Sequence, residues 1–342
     1  MTGHTSRQGA SKGRATIRDV AARAGVSRQT VSRVINAEGY VAPETREQVE
    51  LAIAELGFRP NVNARSMALG RSQLIACIAP NLTDFTFASI IDAAEIEART
   101  QGYGVVSASA ETRADFVDLL DRLVAQRRVD GVLVINPLDG RESELAADTR
   151  ALLIGARSLD GSRAAITLDE EAAGRLAIRH LLSLGHRVIG MIQGPTDEDC
   201  VQVRSFGALA ELNEAGIVLP ADGLVTGDWS ATSGYTGALA LLERIPGLTA
   251  IFAQNDRMAI GALHALREAG RRVPDDVSII GFDDIPLASY FDPALSTIQQ
   301  DFAVMGRRAA HRLIAAFDTG RLEPTLERIP ATLIVRQSTR AL

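Results

Sequence analysis

Residues 20–36 read VAARAGVSRQTVSRVIN, and their pattern predicts two short helices joined by a tight turn. Apolar residues recur at helical spacing in both halves: Val20, Ala21 and Ala24 in the first, and Val31, Val34 and Ile35 in the second. Between them stands Gly25, which accepts the left-handed conformation that ends a helix, and Ser27 follows as a cap for the next one. With its apolar side facing inward, the second helix turns Arg28, Gln29 and Arg33 toward solvent.

The flanking sequence completes a small helical core. Thr16-Ile17-Arg18-Asp19 fits a capping box at the start of the first helix. A third helix is predicted to begin at Pro43 and to end at Gly57. It carries Val49, Ala52, Ile53 and Leu56 on one face. Three short helices therefore share one set of buried side chains.

Charge is divided unequally along the chain. Residues 1–72 contain 11 of the 36 Lys and Arg residues but only 6 of the 42 Asp and Glu residues, so this segment carries a net charge of +5. The remaining residues carry −11. A basic head on an acidic body indicates nucleic-acid binding at the head, because phosphates attract the head and repel the body.

The polar face of the second helix has two interpretations. A charged helix face is usually a solvated surface, and Arg28, Gln29 and Arg33 taken alone fit that description. The spacing around Gly25, the basic surplus and the position of these residues early in the second helix favour base readout by a helix-turn-helix. In the major groove Arg pairs with guanine and Gln with adenine.

Composition excludes several classes of protein. No apolar run reaches the ~20 residues of a membrane span, and the polar N-terminus lacks a secretory signal, so we expect a cytoplasmic protein. Lys12 is the only lysine, and the GxGxxG and GxSxG motifs are missing, so we expect neither an enzyme nor a bound cofactor. Cys77 and Cys200 are too few for a disulfide framework and wrongly spaced for a metal site.

From residue 73 onward, short apolar runs alternate with helical segments. The runs include LIACIAP at 74–80, VDGVLVIN at 129–136, RVIGMIQ at 187–193, AIFAQN at 250–255 and VSIIGF at 277–282. This βαβ alternation restarts after ALLIGA at 151–156. It predicts an α/β body of two lobes, each a doubly wound parallel sheet. Such sheets bind ligands beyond the carboxyl ends of their strands, in the crevice between the lobes.

Polar and aromatic residues stand at those strand ends. They are Asn81 to Phe87, Arg204, Trp229, Asn255-Asp256 and Asp283-Asp284. Carboxylate, amide and guanidinium groups exchange hydrogen bonds with hydroxyls, and an indole covers the apolar face of a sugar ring, so this chemistry suits a sugar. At some of these positions a structural role is an alternative to ligand binding. Phe85 and Phe87 also fit a core, and Asp256 and Asp284 are left out of the site because they fit helix or turn caps.

The stretches TIRDVAARAGVSRQTVSRVIN (16–36) and VAPETREQVELAIAELGFRPNVNARSMALGRS (41–72) resemble the head and hinge of the lactose/galactose repressor family. The polar composition of residues 1–14 predicts a disordered tail. The resemblance implies a helix-turn-helix domain at 15–60 and a hinge helix at 61–72 that wedges into the minor groove. It assigns base readout to Arg28, Gln29 and Arg33, phosphate contacts to Ser27, Thr30, Ser32 and Asn36, and minor-groove contacts to Asn61, Ala64, Arg65 and Met67.

The motifs GDWSATSG (227–234), AIFAQNDRMAIGAL (250–263), VSIIGFDDIPLASY (277–290) and STIQQDF (296–302) resemble the same family's periplasmic-binding-protein-like domain. This implies an effector domain at 73–342, with an N-lobe of about 73–166 plus 300–327 and a C-lobe of about 167–299 plus 328–342. It assigns effector binding to Phe85, Phe87, Arg204, Trp229, Asn255, Asp283 and Gln300. Gly155 stands where the lactose-binding member carries a sugar-facing aspartate, which argues against a galactoside.

The expected function is a transcriptional repressor that binds a pseudo-palindromic DNA operator as a homodimer. A small effector, a sugar or glycoside acting as inducer, is expected to control its operator affinity. Two alternatives remain open at this point: the same scaffold with a non-sugar effector or corepressor logic, and a transport-type sugar-binding protein. The basic head and the missing export signal argue against the transport protein.

Overall fold

The computed structural model describes residues 15–36, 39–58, 70–158 and 160–342. For residues 138–140 and 221 it describes the backbone only. The predicted tail at 1–14 and the hinge residues Asn61, Ala64, Arg65 and Met67 lie outside the described residues. The chain divides into two compact units, Met1–Ser72 and Gln73–Leu342. They are called the head and the body below.

The head packs three helices around one apolar core, as the sequence predicted. The helices are α1 (Ile17–Ala24), α2 (Arg28–Asn36) and α3 (Pro43–Leu56). Each helix contributes two buried side chains: Val20 and Ala21, Val31 and Val34, and Val49 and Ala52. Burial of one stripe per helix leaves the opposite stripes exposed, which places the polar face of α2 in solvent.

Local capping fixes the helix ends. Thr16 and Asp19 form the predicted capping box, in which the Thr16 backbone N–H donates to Asp19 Oδ2 at 2.8 Å. Gly25 ends α1 at φ 67°, and Gly57 ends α3 at φ 58°. Side chains resist this left-handed conformation, so glycine is favoured at both positions.

The body alternates strands and helices throughout. Its first half contains β1 (Leu74–Ala79), α4 (Phe85–Thr100), β2 (Gly104–Ser109), α5 (Arg113–Leu120), β3 (Gly131–Ile135), β4 (Ala151–Ile154) and β5 (Ala164–Leu168). Its second half contains α6 (Glu170–Ser183), β6 (Ile189–Gln193), α7 (Asp199–Glu214), β7 (Leu224–Thr226), α8 (Ala231–Arg244), β8 (Ala250–Ala253), α9 (Asp256–Glu268), β9 (Ser278–Asp283), β10 (Ser296–Gln299), α10 (Phe302–Thr319), β11 (Leu326–Ile329) and β12 (Thr332–Ile334).

These strands form two sheets, each the centre of one lobe. The first lobe has the strand order β11-β5-β4-β3-β1-β2, and every neighbouring pair is parallel. The second lobe has the order β12-β10-β9-β8-β6-β7, in which only the pair of β10 with β12 is antiparallel. Strands β3 and β8 are buried along their whole length because helices cover both faces of each sheet. This confirms the predicted α/β class.

The chain crosses between the lobes three times. The crossings follow β5 at Leu168, β10 at Gln299 and β11 at Ile329. The lobe boundaries expected from the sequence, at about 166, 299 and 327, stay a prediction. Within the described ranges, none of the helices combines the length and apolar character that a membrane crossing requires.

A close contact between α6 and α7 depends on two glycines. A Cβ on Gly174 would lie 2.1 Å from the backbone oxygen of Arg204, and a Cβ on Gly207 would lie 2.1 Å from the backbone oxygen of Glu171. No side chain fits either gap. The two helix axes therefore approach closely, and this brings the first residue of α6, Glu170, beside the Arg204 side chain of α7.

Candidate functional site

A cavity of about 450 Å³ lies between the two lobes of the body. Its volume is in the range of small-molecule binding sites, and its walls follow the carboxyl ends of strands from both sheets. The residues around it include Asn81, Asp84, Phe87, Glu111, Asn136 and Gly155 of the first lobe, Glu170, Glu198, Arg204, Asp228, Trp229, Gln254, Asn255, Arg257 and Asp283 of the second lobe, and Gln300 at the crossing.

Arg204 is held by a buried ion pair. The side chain is 4% exposed, and both Nε and Nη2 lie 2.8 Å from Glu170 Oε2. Nη1 donates to the backbone oxygen of Gln254 at 2.5 Å, and the guanidinium stacks 3.5 Å from the centre of the Phe282 ring. Burial raises the pKa of Glu170, while the charge of Arg204 opposes that shift. Arg204 is therefore a fixed part of the cavity wall.

Asp283 ends β9 in a strained backbone conformation. Its φ of 111° is rare for any residue except glycine, and the residue is 8% exposed. Gln300 Nε2 donates to Asp283 Oδ1 at 2.7 Å. Burial and the nearby Asp256 carboxylate raise the pKa of Asp283 well above its ordinary value, against the effect of Arg204. Asn136 and Trp229, which also line the cavity, have positive φ as well. Such strain persists where a site is built around it.

Glu198 connects Trp229 with the opposite lobe. Trp229 Nε1 donates to Glu198 Oε1 at 2.7 Å, and Asn136 Nδ2 of the first lobe donates to Glu198 Oε2 at 3.1 Å. The indole fits because residue 194 is glycine: a Cβ there would lie 2.2 Å from Trp229 Cζ2. These contacts fix the ring in the cavity wall and link it to both lobes.

Two ion pairs also join the lobes. Arg257 of α9 pairs with Asp84, the residue that caps α4. Arg157, which follows β4, donates to Asp199 at the start of α7 with Nη2–Oδ1 at 2.5 Å. Polar contacts therefore bridge the cleft between the lobes at several points.

The Asn255 amide already has partners on both sides. Its Oδ1 accepts from the Met258 backbone N–H at 2.8 Å and caps α9, and its Nδ2 donates to the Trp229 backbone oxygen at 3.1 Å. Asn255 lines the cavity, so a ligand role stays a prediction. Asp256 accepts from Thr297 Oγ1 at 2.6 Å and from Ile285 N–H at 2.9 Å, and it is not part of the lining.

Phe85 is a correction to the sequence prediction. Phe87 lines the cavity, but Phe85 does not; it is 43% exposed and packs edge-on against Phe302, with ring centres 6.3 Å apart. Two residues that are two positions apart on a helix point about 200° apart, so only one of them faces the cleft. Arg204, Trp229, Asp283 and Gln300 do line it.

Sequence reasoning missed Asn136, Glu170, Glu198 and Gln254, all of which line the cavity. Asn136 and Gln254 follow the ends of β3 and β8, so the strand-end rule could have found them. Glu170 and Glu198 precede or begin helices, where an acidic residue is ordinary, and no local signal separates a cavity role from a helix-end role. The described residues contain no cluster of side chains that could hold a metal ion.

In the head, α2 presents the predicted readout residues to solvent. Arg28, Gln29 and Arg33 are exposed, and neither arginine forms an ion pair with another described residue. Ser27 Oγ accepts from the Thr30 N–H at 3.1 Å, which caps α2 as predicted. The remaining predicted phosphate contacts are the half-buried pair Ser32 and Asn36, in which Asn36 Nδ2 donates to Ser32 Oγ at 3.3 Å.

Comparison with known proteins identifies this arrangement. A model of bacterial regulatory proteins of the lacI family matches residues 16–61, and a periplasmic binding protein-like domain matches residues 178–339. The HTH-type transcriptional repressor PurR of Erwinia tasmaniensis is 38% identical over 329 residues, which cover 95% of this chain and 96% of that protein. The chain belongs to the lacI family. PurR of Escherichia coli O1:K1 is 36% identical over the same shares.

Solved structures of lacI-family proteins have the same fold. The lac repressor dimer bound to operator and the anti-inducer ONPF is 33% identical, with a TM-score of 0.87 over 96% of this chain and 100% of that chain. The complex of the transcriptional regulator CelR with cellobiose is 32% identical, with a TM-score of 0.74 over 95% of this chain and 100% of that chain.

Membership of the lacI family confirms several predictions. The protein is a DNA-binding transcriptional repressor controlled by a small effector, and it is not an enzyme. A repressor of this kind acts in the cytoplasm, as predicted. Its partners are operator DNA and the effector.

Proposed function

We propose that the effector is a sugar or glycoside that binds in the cleft and acts as an inducer. The observation that carries this proposal is the composition of the cavity wall: one indole, Trp229, is fixed beside buried carboxylates such as Glu198 and Asp283. Carboxylates accept hydrogen bonds from hydroxyls, while the indole covers the apolar face of a sugar ring.

The proposed mechanism uses the contacts between the lobes. An effector that exchanges hydrogen bonds with Asn136 and Glu198 competes with the bond joining them, and so favours a different angle between the lobes. The hinge at 61–72 transmits this change to the head, where Arg28, Gln29 and Arg33 read bases and Ser27, Thr30, Ser32 and Asn36 contact phosphates. A ~100-fold loss of operator affinity needs about 2.7 kcal/mol of differential binding, which a few buried hydrogen bonds supply.

The repressor is proposed to act as a homodimer. The lac repressor structure bound to operator is a dimer. Two copies related by a twofold axis read two half-sites, so the operator is expected to be pseudo-palindromic. Alanine at Met67, the proposed wedge of the hinge, is expected to reduce DNA bending and operator affinity together.

The test begins with a DNA site selected from a random pool by the full-length protein. Operator binding is then titrated with neutral mono- and disaccharides, cellobiose included, and with purine bases as flat competitors for the Trp229 face. A sugar that weakens operator binding supports the proposal. A purine that acts while every sugar is silent contradicts the sugar assignment, and a sugar that tightens operator binding contradicts the inducer sign.

Asp283→Ala tests the cleft itself. This variant is expected to bind the operator normally and to lose the effector response, because Asp283 lines the cavity and is remote in sequence from α2. Asp284→Ala is the matched control, since Asp284 pairs with Arg336 and does not line the cavity. A normal effector response in Asp283→Ala would show that the binding site is assigned wrongly.

A further inference from the structure

The cleft contains more carboxyl groups than guanidinium groups. Its walls include the carboxyl groups of Asp84, Glu111, Glu170, Glu198, Asp228 and Asp283 and the guanidinium groups of Arg204 and Arg257. Both arginines form ion pairs within the wall, Arg204 with Glu170 and Arg257 with Asp84. Among the described residues, no guanidinium lies within ion-pair distance of the other four carboxyl groups.

The unpaired carboxyl groups differ in their surroundings. Asp228 stands at the exposed rim, where hydrogen bonds from Ser230 and Ser233 lower its pKa to about 2 and keep it ionised. Glu198 and Asp283 are each 8% exposed. Both oxygens of Glu198 accept hydrogen bonds from neutral donors, Trp229 and Asn136.

Two acceptors in the cavity wall have no donor among the described residues. Gln300 occupies Asp283 Oδ1, and no described side chain or backbone N–H donates to Asp283 Oδ2. Gln254 is fully buried and lines the cavity; its Nε2 donates to Ser205, but its Oε1 has no partner. Buried acceptors in native proteins are nearly always satisfied, so the buried Gln254 oxygen points to a ligand that supplies donors, and Asp283 Oδ2 is a second acceptor open to that ligand.

A protonated amine meets these requirements better than a hydroxyl or an acid. It carries three donors and one positive charge, whereas a hydroxyl carries one donor and a carboxylate or phosphate has none at its charged oxygens. Arg204, the buried cation of the cavity wall, already pairs with Glu170 and donates to the Gln254 backbone, so its charge is partly neutralised before a ligand enters. Burial and the nearby Asp256 carboxyl group raise the pKa of Asp283, and a cation beside Asp283 would oppose both effects.

We infer that the effector carries a protonated amino group that binds Asp283 Oδ2, so that the cleft selects an amino sugar over the neutral or acidic form of the same sugar. The inference rests on the proposed function, since it names the class of sugar in the same site.

Four matched series of sugars test this inference, and within each series the members share one carbon skeleton and differ in a single functional group. The skeletons are glucose, galactose, mannose and cellobiose, each offered to the full-length protein as the hydroxyl, amino, N-acetylamino and uronic acid form. Trp229, the only tryptophan, lines the cavity and reports binding by its fluorescence. In a responding series the amino form is expected to bind about tenfold more tightly than the hydroxyl form, and the uronic acid not at all.

Asp283→Asn supplies the charge control, because it keeps the shape of the side chain and removes its charge. The preference for the amino form is expected to fall to about one in this variant, while Asp284→Asn keeps the wild-type ratio. Urea unfolding shows whether each variant is folded. If Asp283→Asn does not fold, the relative affinities of the wild-type protein for the four forms test the inference on their own.

Three results overturn the inference and leave the sugar proposal in place: tighter binding of the hydroxyl or N-acetylamino form, binding of a uronic acid, or an undiminished amino preference in folded Asp283→Asn. If no member of any series changes the Trp229 fluorescence or operator binding, the sugar proposal fails and the inference fails with it.

Discussion

The readout face of the head and the cleft of the body use arginine in opposite ways. Arg28 and Arg33 extend from α2 into solvent and pair with no other described residue. Arg204 is buried against Glu170, and Arg257 pairs with Asp84 across the cleft. Free cations suit a polyanion such as DNA, whereas paired cations and unpaired carboxylates suit a ligand rich in donors. One chain therefore carries two sites of opposite electrostatic character.

Removing one partner of the buried pair should have the largest effect. Glu170→Ala leaves Arg204 buried without its counter-charge and is expected to lower the free energy of unfolding of the body by about 3–5 kcal/mol. Urea unfolding followed by Trp229 fluorescence measures this.

Glu55→Ala is the matched control for that variant in the head. The Arg23–Glu55 pair is half exposed, at 57% and 51%, so its loss should cost less than about 1 kcal/mol, measured by far-UV circular dichroism. If both variants lose the same free energy of unfolding, the Glu170–Arg204 pair does not stabilise the body more than the exposed Arg23–Glu55 pair stabilises the head, and the contrast is wrong.

Asp256 in the body and Asp19 in the head should contribute to stability with opposite pH dependence. Burial raises the pKa of Asp256 from 3.8 to about 7, although hydrogen bonds from Thr297 and Ile285 oppose this. Folded Asp256 thus holds its proton where the unfolded residue has lost it, so its contribution is present at low pH and is lost as pH rises from about 4 to 7. For Asp256 alone, the expected loss of stability is on the order of 2–4 kcal/mol.

Asp19 in the head behaves in the other direction. Hydrogen bonds from Thr16 lower its pKa, so its contribution is present above the unfolded pKa of 3.8 and is lost as pH falls below that value. Unfolding curves of the head and of the body, recorded at a series of pH values, measure the two contributions separately.

Thr297→Val should extend the loss of body stability to higher pH, because it removes a hydrogen bond that favours the ionised Asp256. Identical profiles for wild type and Thr297→Val would refute the role of Asp256.

Base readout should depend on Arg28 in a sequence-dependent way. Arg28→Ala is expected to reduce discrimination at one operator position by about 1–3 kcal/mol, measured by competition between the selected site and its single-base variants. Arg18→Ala removes the same charge from the exposed side of α1 and should weaken binding evenly across sequences. Loss of discrimination at the same position in both variants would indicate that α2 does not read the bases.

The smallest expected effect concerns helix capping. Thr16 in the head and Thr112 in the body form the same kind of capping box, with Asp19 and Asp115. Alanine at either position is expected to cost about 1 kcal/mol. The melting temperature should fall more in the head, because a small unit has a smaller entropy of unfolding. Calorimetry of the two variants tests this, and equal shifts would indicate that head and body unfold as one unit.

Local signals in the sequence were sufficient to predict the fold of the head. The Thr16 box, the glycine stops at Gly25 and Gly57, and the exposed face of α2 each depend on residues within four positions of one another. Hydrophobic alternation was likewise sufficient for the α/β class of the body, because strands buried on both faces read as continuous apolar runs.

The cleft could be predicted only in part. Trp229 and Asp283 were found because they stand at or just after the ends of strands, but the Glu170–Arg204 pair joins residues 34 positions apart through the glycine contact between α6 and α7. The strand-end rule also placed both Phe85 and Phe87 in the site, although they belong to one helix and only Phe87 lines the cavity. Facing direction and long-range pairing depend on packing, which periodicity alone does not specify.

The most direct test of the account is the coupling between the two sites. Effector affinity is measured by Trp229 fluorescence with and without saturating operator DNA, and operator affinity is measured with and without saturating effector. Because coupling between binding sites is reciprocal, the account predicts that both affinities weaken by the same factor, tenfold or more by order of magnitude. Effector affinity that is unchanged by operator DNA would contradict it.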